Sequence, residues 1–80
     1  MAASATSVTC LASNSARRMA TFFNDSTATA YLKFGATASS TSHAVQILGG
    51  GYYEMPYPTY TGIIDCIWGS ATGSMRVTEY

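Results

Sequence analysis

Apolar and polar residues alternate in short runs along most of this chain, with the period of two that a β-strand requires. The plainest run is residues 28–34, where the alternation predicts that Ala30, Leu32 and Phe34 face a core and that the residues between them face outward. No segment shows the spacing of an amphipathic helix. The pattern therefore predicts a protein built from strands.

The remaining runs are short and are bounded by clusters of Gly, Pro, Asn, Asp, Ser and Thr. They predict strands over residues 8–12, 18–24, 43–48, 52–55, 63–68 and 75–80. Short strands at this spacing predict an all-β fold, either a small antiparallel β-sandwich or a partly closed barrel of six to seven strands. We expect a flexible N-terminal arm over residues 1–7 and a single β domain over residues 8–80.

The turn residues predict how consecutive strands connect. Residues 24–27 (Asn-Asp-Ser-Thr) predict a hairpin between the strands on either side of them, and residues 70–74 predict a second hairpin. Residues 49–51 (Gly-Gly-Gly) predict a turn that interrupts a strand. Residues 55–58 contain two prolines and predict an edge position or a segment outside the sheet. Residues 63–68 form the most apolar run, which predicts the central strand.

Ionisable groups are scarce: the chain has four Lys and Arg, four Asp and Glu, and one His, so its formal net charge is zero. A neutral chain lacks the field that attracts phosphate backbones or anionic lipid, so we expect no nucleic-acid partner and no membrane partner. No apolar stretch approaches the roughly 20 residues that span a bilayer. The few His, Cys and acidic residues show no metal-ligand spacing, so we expect no metal and no cofactor.

A domain of this size buries only roughly 60% of the surface that its unfolded chain exposes, so it usually needs a disulfide or partner chains. A bridge between Cys10 and Cys66 would close a long loop and would contribute about 4 kcal/mol. The N-terminal residues do not form a signal peptide, which favours two reduced thiols in a protein made in the cytoplasm. We therefore expect partner chains to provide the additional stability.

Candidate catalytic residues are few and have structural alternatives. Asp65 lies in the most apolar strand and could act as a general acid with Glu54, but it is better explained as pairing with an arginine or with backbone amides beside a subunit contact. His43 follows a serine-rich loop, yet no nucleophile-elbow spacing supports a Ser-His-Asp triad. We therefore predict that the protein is not an enzyme.

Tyrosines are concentrated in residues 52–60, next to two prolines. Tyrosine is enriched at protein interfaces because its ring provides contact area at low entropic cost. Two alternatives stay open: packing over a small core, and stacking on sugar rings. Together with the paired arginines and two further aromatic residues, the candidate interface residues are Arg17, Arg18, Tyr52, Tyr53, Tyr57, Tyr60, Trp68 and Tyr80.

Several short motifs of the chain resemble those of small virion proteins from tailed bacteriophages. The motifs are residues 24–27 (NDST), 31–35 (YLKFG), 50–54 (GGYYE), 60–62 (YTG), 67–68 (IW) and 76–79 (RVTE). The resemblance covers most of the chain after Arg17. These motifs mark turns and the ends of strands, so they indicate a fold family more than a role.

The resemblance implies a compact β protein that assembles on phage particles. The role it favours is a capsid cement or decoration protein, a homotrimer bound to the outer surface of the major capsid protein shell. It also implies synthesis in the cytoplasm of the host bacterium and a final location on the virion. A neck, tail or vertex component and a glycan-binding adhesion module are the alternatives. The family brings no catalytic residues.

Overall fold

The computed structural model describes all residues, 1–80, and contains seven strands and no helix, which confirms the predicted all-β fold. The strands are β1 (Val8–Leu11), β2 (Ala20–Asp25), β3 (Ala30–Lys33), β4 (Val45–Ile47), β5 (Tyr52–Glu54), β6 (Ile64–Trp68) and β7 (Ser74–Glu79). They form a four-stranded antiparallel sheet in the order β1-β6-β3-β4 and a three-stranded antiparallel sheet in the order β5-β2-β7. Of the two predicted architectures, the sandwich is correct and the barrel is not.

The core lies between the sheets and follows from the alternation in each strand. In β3, Ala30 and Leu32 are fully buried while their neighbours are half-buried, as the sequence predicts. In β2, Ala20 and Phe22 are fully buried, and Phe23 faces outward. The buried apolar residues of the core are Ala3, Ala20, Phe22, Ala30, Leu32, Ile47, Met55, Ile64, Cys66, Trp68 and Met75.

Strand β6 is central in the larger sheet, between β1 and β3, which confirms the prediction from its apolar sequence. Ile64, Cys66 and Trp68 point into the core. Residues 55–58 follow the edge strand β5 and lie outside the strands, as predicted, although the Met55 N–H still donates to Ala20 O of β2. Gly51 donates a backbone hydrogen bond of 2.8 Å to Leu48 O, and Gly50 has a φ of 78°, so the predicted glycine turn is confirmed.

Both predicted hairpins are wrong. Strand β2 pairs with β5 and β7, and β3 pairs with β4 and β6, so the turn at residues 24–27 crosses from one sheet to the other. Residues 70–74 likewise carry the chain from β6 in one sheet to β7 in the other. Hairpins and sheet crossings use the same turn residues, because both need tight reversals with local hydrogen bonds. Only the pairing of the strands distinguishes them.

A disulfide joins Cys10 to Cys66, so the expectation of two reduced thiols is wrong. Strand β1 pairs with β6 with an irregular register between Thr9 and Leu11, and this irregularity places Cys10 beside Cys66 with a Cα–Cα distance of 5.9 Å. Such a distance is ordinary for a disulfide. The expectation of reduced thiols rested on the N-terminal residues, which carry no information on how close Cys10 and Cys66 lie in the fold.

Residues 1–7, predicted as a flexible arm, lie against both sheets in the structure. Ala2 forms an isolated β-bridge with Ser74, and Ala3 is buried in the core cluster. Ser4 O accepts a hydrogen bond of 2.8 Å from the backbone N–H of Trp68. The first residues of the chain therefore line part of the open edge of β7.

Candidate interaction surface

The outer surface of the three-stranded sheet carries a group of aromatic and charged side chains. The register places Phe23 of β2 between Tyr52 of β5 and Arg76 of β7, all pointing away from the core. Tyr80 follows on the same side of β7 as Arg76, because alternate residues share a face. We call this surface the aromatic face and define it by Thr21, Phe23, Asp25, Tyr52, Glu54, Arg76, Thr78 and Tyr80.

Three large apolar side chains of the aromatic face remain exposed. The exposed fractions are 38% for Phe23, 60% for Tyr52 and 55% for Tyr80. Contiguous exposed apolar groups mark interaction sites more often than scattered ones do. An antiparallel sheet holds these rings in fixed positions, so a partner that packs on them would not have to order a mobile loop.

Polar groups surround the rings. Arg76 donates hydrogen bonds from Nε (3.1 Å) and Nη2 (3.0 Å) to Oδ2 of Asp25, and both side chains are largely exposed. The hydroxyl of Tyr52 donates to Oε2 of Glu54 at 3.3 Å. Partial desolvation on the sheet, followed by the nearby Glu54 carboxylate, raises the pKa of Tyr52, so its hydroxyl stays protonated and remains a donor. The aromatic face therefore offers rings with hydrogen-bonding groups at their margin.

The outer surface of the four-stranded sheet is different, because the loop of residues 34–44 folds over it. Oδ2 of Asp65 accepts the backbone N–H of Thr37 at 2.7 Å, and Oδ1 accepts the Thr9 hydroxyl at 3.1 Å. Ala38 in this loop is only 2% exposed. The prediction that Asp65 pairs with backbone amides is confirmed, and no arginine takes part. The part of this outer surface around Asp65 is thus covered by the protein's own chain.

The same loop contains His43 and accounts for its contacts. The imidazole packs on the ring of Tyr31 with a centroid distance of 4.7 Å, and Nδ1 lies 3.0 Å from the backbone oxygen of Ser39. Lys33 Nζ donates to Ser42 Oγ at 2.7 Å. The histidine therefore contacts a backbone carbonyl and a tyrosine ring, with no serine hydroxyl as its partner, and the triad that can be drawn from the sequence does not form.

Asp65 and Glu54 do not form a carboxylate pair. Asp65 lies under the loop on the outer surface of the four-stranded sheet, whereas Glu54 lies on the aromatic face of the other sheet. The core separates them. No group of three or more His, Cys, Asp and Glu side chains is arranged to hold a metal ion.

The tyrosines of residues 52–60 do not form one ridge. The ring of Tyr60 stacks on Phe34 at a centroid distance of 5.3 Å, and Tyr53 lies 6.5 Å from the same ring, so both pack against the core. Burial raises the pKa of Tyr53. Tyr57 is 93% exposed in the loop after β5. Only Tyr52 belongs to the aromatic face, so the packing alternative describes half of the cluster.

Arg17 and Trp68 of the predicted interface set are buried within the chain. The Arg17 guanidinium donates to Glu79 Oε2, to the backbone oxygens of Tyr60 and Gly62, and to that of Ala12. Trp68 is 2% exposed and points into the core. Because both side chains are buried within the chain, neither is available to contact a partner.

Arg18 is exposed, and its backbone groups bind Thr59 and Tyr80.

Phe23 is a surface residue that is absent from the predicted interface set. Its signal was the pair Phe22-Phe23 inside one strand: with a period of two, one of two adjacent rings must face away from the core. In the structure Phe22 is buried in the core, so Phe23 is the ring that faces outward.

A shallow pocket of about 220 Å³ lies between the edge strands β4 and β5. It is lined mainly by apolar groups, among them Ile47, Leu48 and Tyr53, and Leu48 is 64% exposed. Its only side-chain amide is that of Gln46. This lining suits an apolar side chain of a partner.

The structure contains no helix of the length and apolarity needed to cross a membrane. Comparisons with protein-family models, with curated proteins and with solved structures find no match to this chain. The fold and the site together define a small disulfide-bonded β-sandwich that exposes one aromatic sheet surface.

Proposed function

We propose that this protein is a non-enzymatic structural component of a bacteriophage virion, a capsid decoration protein that binds the major capsid protein shell through its aromatic face. The observation that carries the binding role is the asymmetry of the sandwich. The loop of residues 34–44 covers one outer surface around Asp65, whereas Phe23, Tyr52 and Tyr80 stay exposed on the other.

The composition of the aromatic face supports a protein partner. Protein interfaces are enriched in Tyr, Phe and Arg, with apolar groups at the centre and polar groups at the rim. Phe23 lies at the centre of the three-stranded sheet, and the Asp25–Arg76 ion pair and Glu54 lie around it. A partner that covers Phe23 would bury the 38% of this residue that is still exposed and would gain that share of the about 1.5–3 kcal/mol that full burial of such a side chain is worth.

The virion context of the proposal comes from the motifs of the sequence. The motifs at residues 24–27, 50–54 and 76–79 lie at the sheet crossing, at β5 and at β7, which are the elements that build and border the aromatic face. The proposed partners are the major capsid protein and further copies of the chain. The proposed location is the capsid surface, after synthesis in the cytoplasm of the host bacterium.

The test uses a phage whose genome encodes this chain. Virions purified on a density gradient are analysed by quantitative mass spectrometry, and heads made without the protein are then incubated with purified variants and sedimented. We expect the protein in a fixed ratio to the major capsid protein. We also expect Phe23→Ser and Tyr52→Ser each to weaken head binding about tenfold or more, because central aromatic residues dominate interface energies.

Tyr57→Ser is the matched control, since Tyr57 is the most exposed tyrosine but lies outside the aromatic face. It should bind heads as the wild type does. Absence of the chain from purified virions would overturn the virion role. Undiminished binding by Phe23→Ser, with the fold intact by Trp68 fluorescence, would overturn the assignment of the surface.

A neck, tail or vertex position would use the same surface against a different virion protein, and electron microscopy of labelled particles separates these positions. A glycan-binding role is the second candidate, and the exposed rings of the aromatic face favour it, because exposed rings on a sheet can stack on sugar rings. Titration with host surface polysaccharide tests it. Binding that persists in Tyr52→Ala and Tyr80→Ala would exclude this surface as the sugar site.

A further inference from the structure

Strand β5 forms an open edge of the three-stranded sheet. Gly51 O accepts the backbone N–H of Asn24 at 2.8 Å, and Met55 donates to Ala20 O at 3.0 Å, so the odd-numbered residues around β5 bond to β2. In an antiparallel pair, hydrogen-bonded positions alternate along the strand. The backbone N–H and C=O groups of Tyr52 and Glu54 therefore point away from the sheet.

The opposite edge of the same sheet is partly occupied. Met75 N donates to Met1 O at 2.8 Å, and Gly73 O accepts the N–H of Ala3 at 3.1 Å. By the same alternation, Val77 and Glu79 are the β7 residues whose backbone groups stay outward. An unprotected edge is a template for another strand. Strand β5 has no covering segment of this kind.

We propose that β5 pairs in an antiparallel manner with β5 of a second copy of the chain, about a two-fold axis that passes between the two Tyr53 residues. This register places Tyr52 opposite Glu54 of the second copy and Glu54 opposite its Tyr52. Each outward N–H and C=O of these residues then gains a partner. The two three-stranded sheets become one continuous sheet, and the two aromatic faces become one surface.

Side-chain chemistry supports this register. Directly opposed residues on antiparallel strands point to the same side of the sheet, so Tyr52 and the Glu54 of the second copy meet on the aromatic face. A hydroxyl opposite a carboxylate is a complementary pair, and the same two groups already lie 3.3 Å apart within one chain. The carboxylates of the two copies do not face each other. The apolar pocket and exposed Leu48 lie at the same edge and add area to the contact.

The alternative of joining β5 to β7 of a second copy in an antiparallel manner is unfavourable. The outward backbone groups on β7 belong to Val77 and Glu79, whose side chains lie on the core side of the strand. Pairing them with Tyr52 and Glu54 would continue the aromatic face of one copy into the core face of the next. The pairing of β5 with itself avoids this conflict.

The test uses variants that each carry one added cysteine, besides the Cys10–Cys66 disulfide, to report the register. Tyr52→Cys and Glu54→Cys are mixed and oxidised, and the products are identified by mass spectrometry. Opposed residues of a hydrogen-bonded antiparallel pair have Cα atoms about 5.5 Å apart, which suits a disulfide. We expect the mixed product to exceed either self-linked product several-fold. Tyr52→Cys mixed with Thr78→Cys is the control, because Thr78 lies on the same face but belongs to the far strand.

The wild-type mass by light scattering should be that of a dimer. Glu54→Pro removes an N–H that has no partner within one chain, so it should retain buried Trp68 fluorescence while dimerisation weakens about tenfold or more. Val77→Pro, on the opposite edge, should leave dimerisation unchanged. A monomer at high micromolar concentration, a trimer, or preferred cross-linking to Thr78→Cys would overturn this inference. None of these results would decide whether the aromatic face binds a capsid shell, because the head-binding assay tests that proposal separately.

Discussion

Trp68 Nε1 donates a hydrogen bond of 3.1 Å to Oδ1 of Asn24, and both side chains lie in the interior between the two sheets. Asn24 also donates from Nδ2 to the backbone oxygens of Ala28 (2.8 Å) and Ile47 (2.9 Å). This single amide therefore joins β2 to β6, to the end of β4 and to the residues before β3. Every polar atom of the Asn24 amide has a partner, so its burial is compensated.

Replacement of Asn24 by alanine should cost about 2–4 kcal/mol, because it leaves the buried Trp68 N–H without a partner and removes the side-chain donor to Ala28 O and Ile47 O. That loss is a large part of the roughly 4–12 kcal/mol expected for a domain of this size. Urea unfolding followed by Trp68 fluorescence measures it. Asn14→Ala is the matched control, since Asn14 accepts one hydrogen bond from Ala16 in an exposed turn. An equal loss in both variants would contradict the role of Asn24.

The sequence places Asn24 at the end of a predicted strand and at the start of a turn. Neither position indicates that its side chain is buried. Alternation assigns the buried side of β3 correctly, because each residue's side follows from a period of two within one strand. Strand partners depend on long-range register. The chain crosses between the sheets after β2 and again after β6, and nothing local at residues 24–27 or 70–74 distinguishes a crossing from a hairpin.

Reduction of the Cys10–Cys66 disulfide should destabilise the protein. The bridge joins residues 56 positions apart, and in the chain-entropy model a loop of that length is worth about 4 kcal/mol. We expect a lower urea midpoint in the presence of a reductant. The double variant Cys10→Ala/Cys66→Ala should unfold near the reduced midpoint and should not respond to the reductant. A wild-type midpoint that is independent of reductant would contradict the expected contribution.

The candidate surface could be predicted only in part. The sequence identifies Tyr52 and Tyr80, which the structure places on the aromatic face, and Tyr57, which it exposes elsewhere. The sequence does not distinguish these exposed tyrosines from Tyr53 and Tyr60, which pack against the core. In the tyrosine cluster the chain passes from a strand into an irregular loop, and the period of two ends there. Tyr53 faces the core because it alternates with Tyr52 in β5, whereas stacking on Phe34 sets the direction of Tyr60.

Arg17 should be the arginine whose loss most affects folding. Its guanidinium is buried and binds three backbone carbonyls and the Glu79 carboxylate, so Arg17→Met would leave those oxygens without their donor. We expect a loss of about 2–4 kcal/mol in urea unfolding. Arg18→Met, at the exposed neighbouring position, should change stability by less than about 0.5 kcal/mol. Equal effects of the two substitutions would show that the Arg17 contacts add nothing.

The Arg17–Glu79 pair also predicts a dependence of stability on pH. The hydrogen bond from Arg17 holds the pKa of the Glu79 carboxyl below its ordinary value of 4.5. A carboxyl whose pKa is lower in the folded state stabilises the fold above the unfolded-state pKa, and this contribution is lost as the pH falls through the folded-state pKa. Below pH 4.5 the wild type should therefore lose its stability advantage over Glu79→Gln, in which the position no longer titrates. Urea midpoints of the two proteins measured from pH 7 to pH 3 give this comparison. The two curves should converge in acid, and curves that stay parallel across the range would show that the Glu79 carboxylate is not coupled to folding.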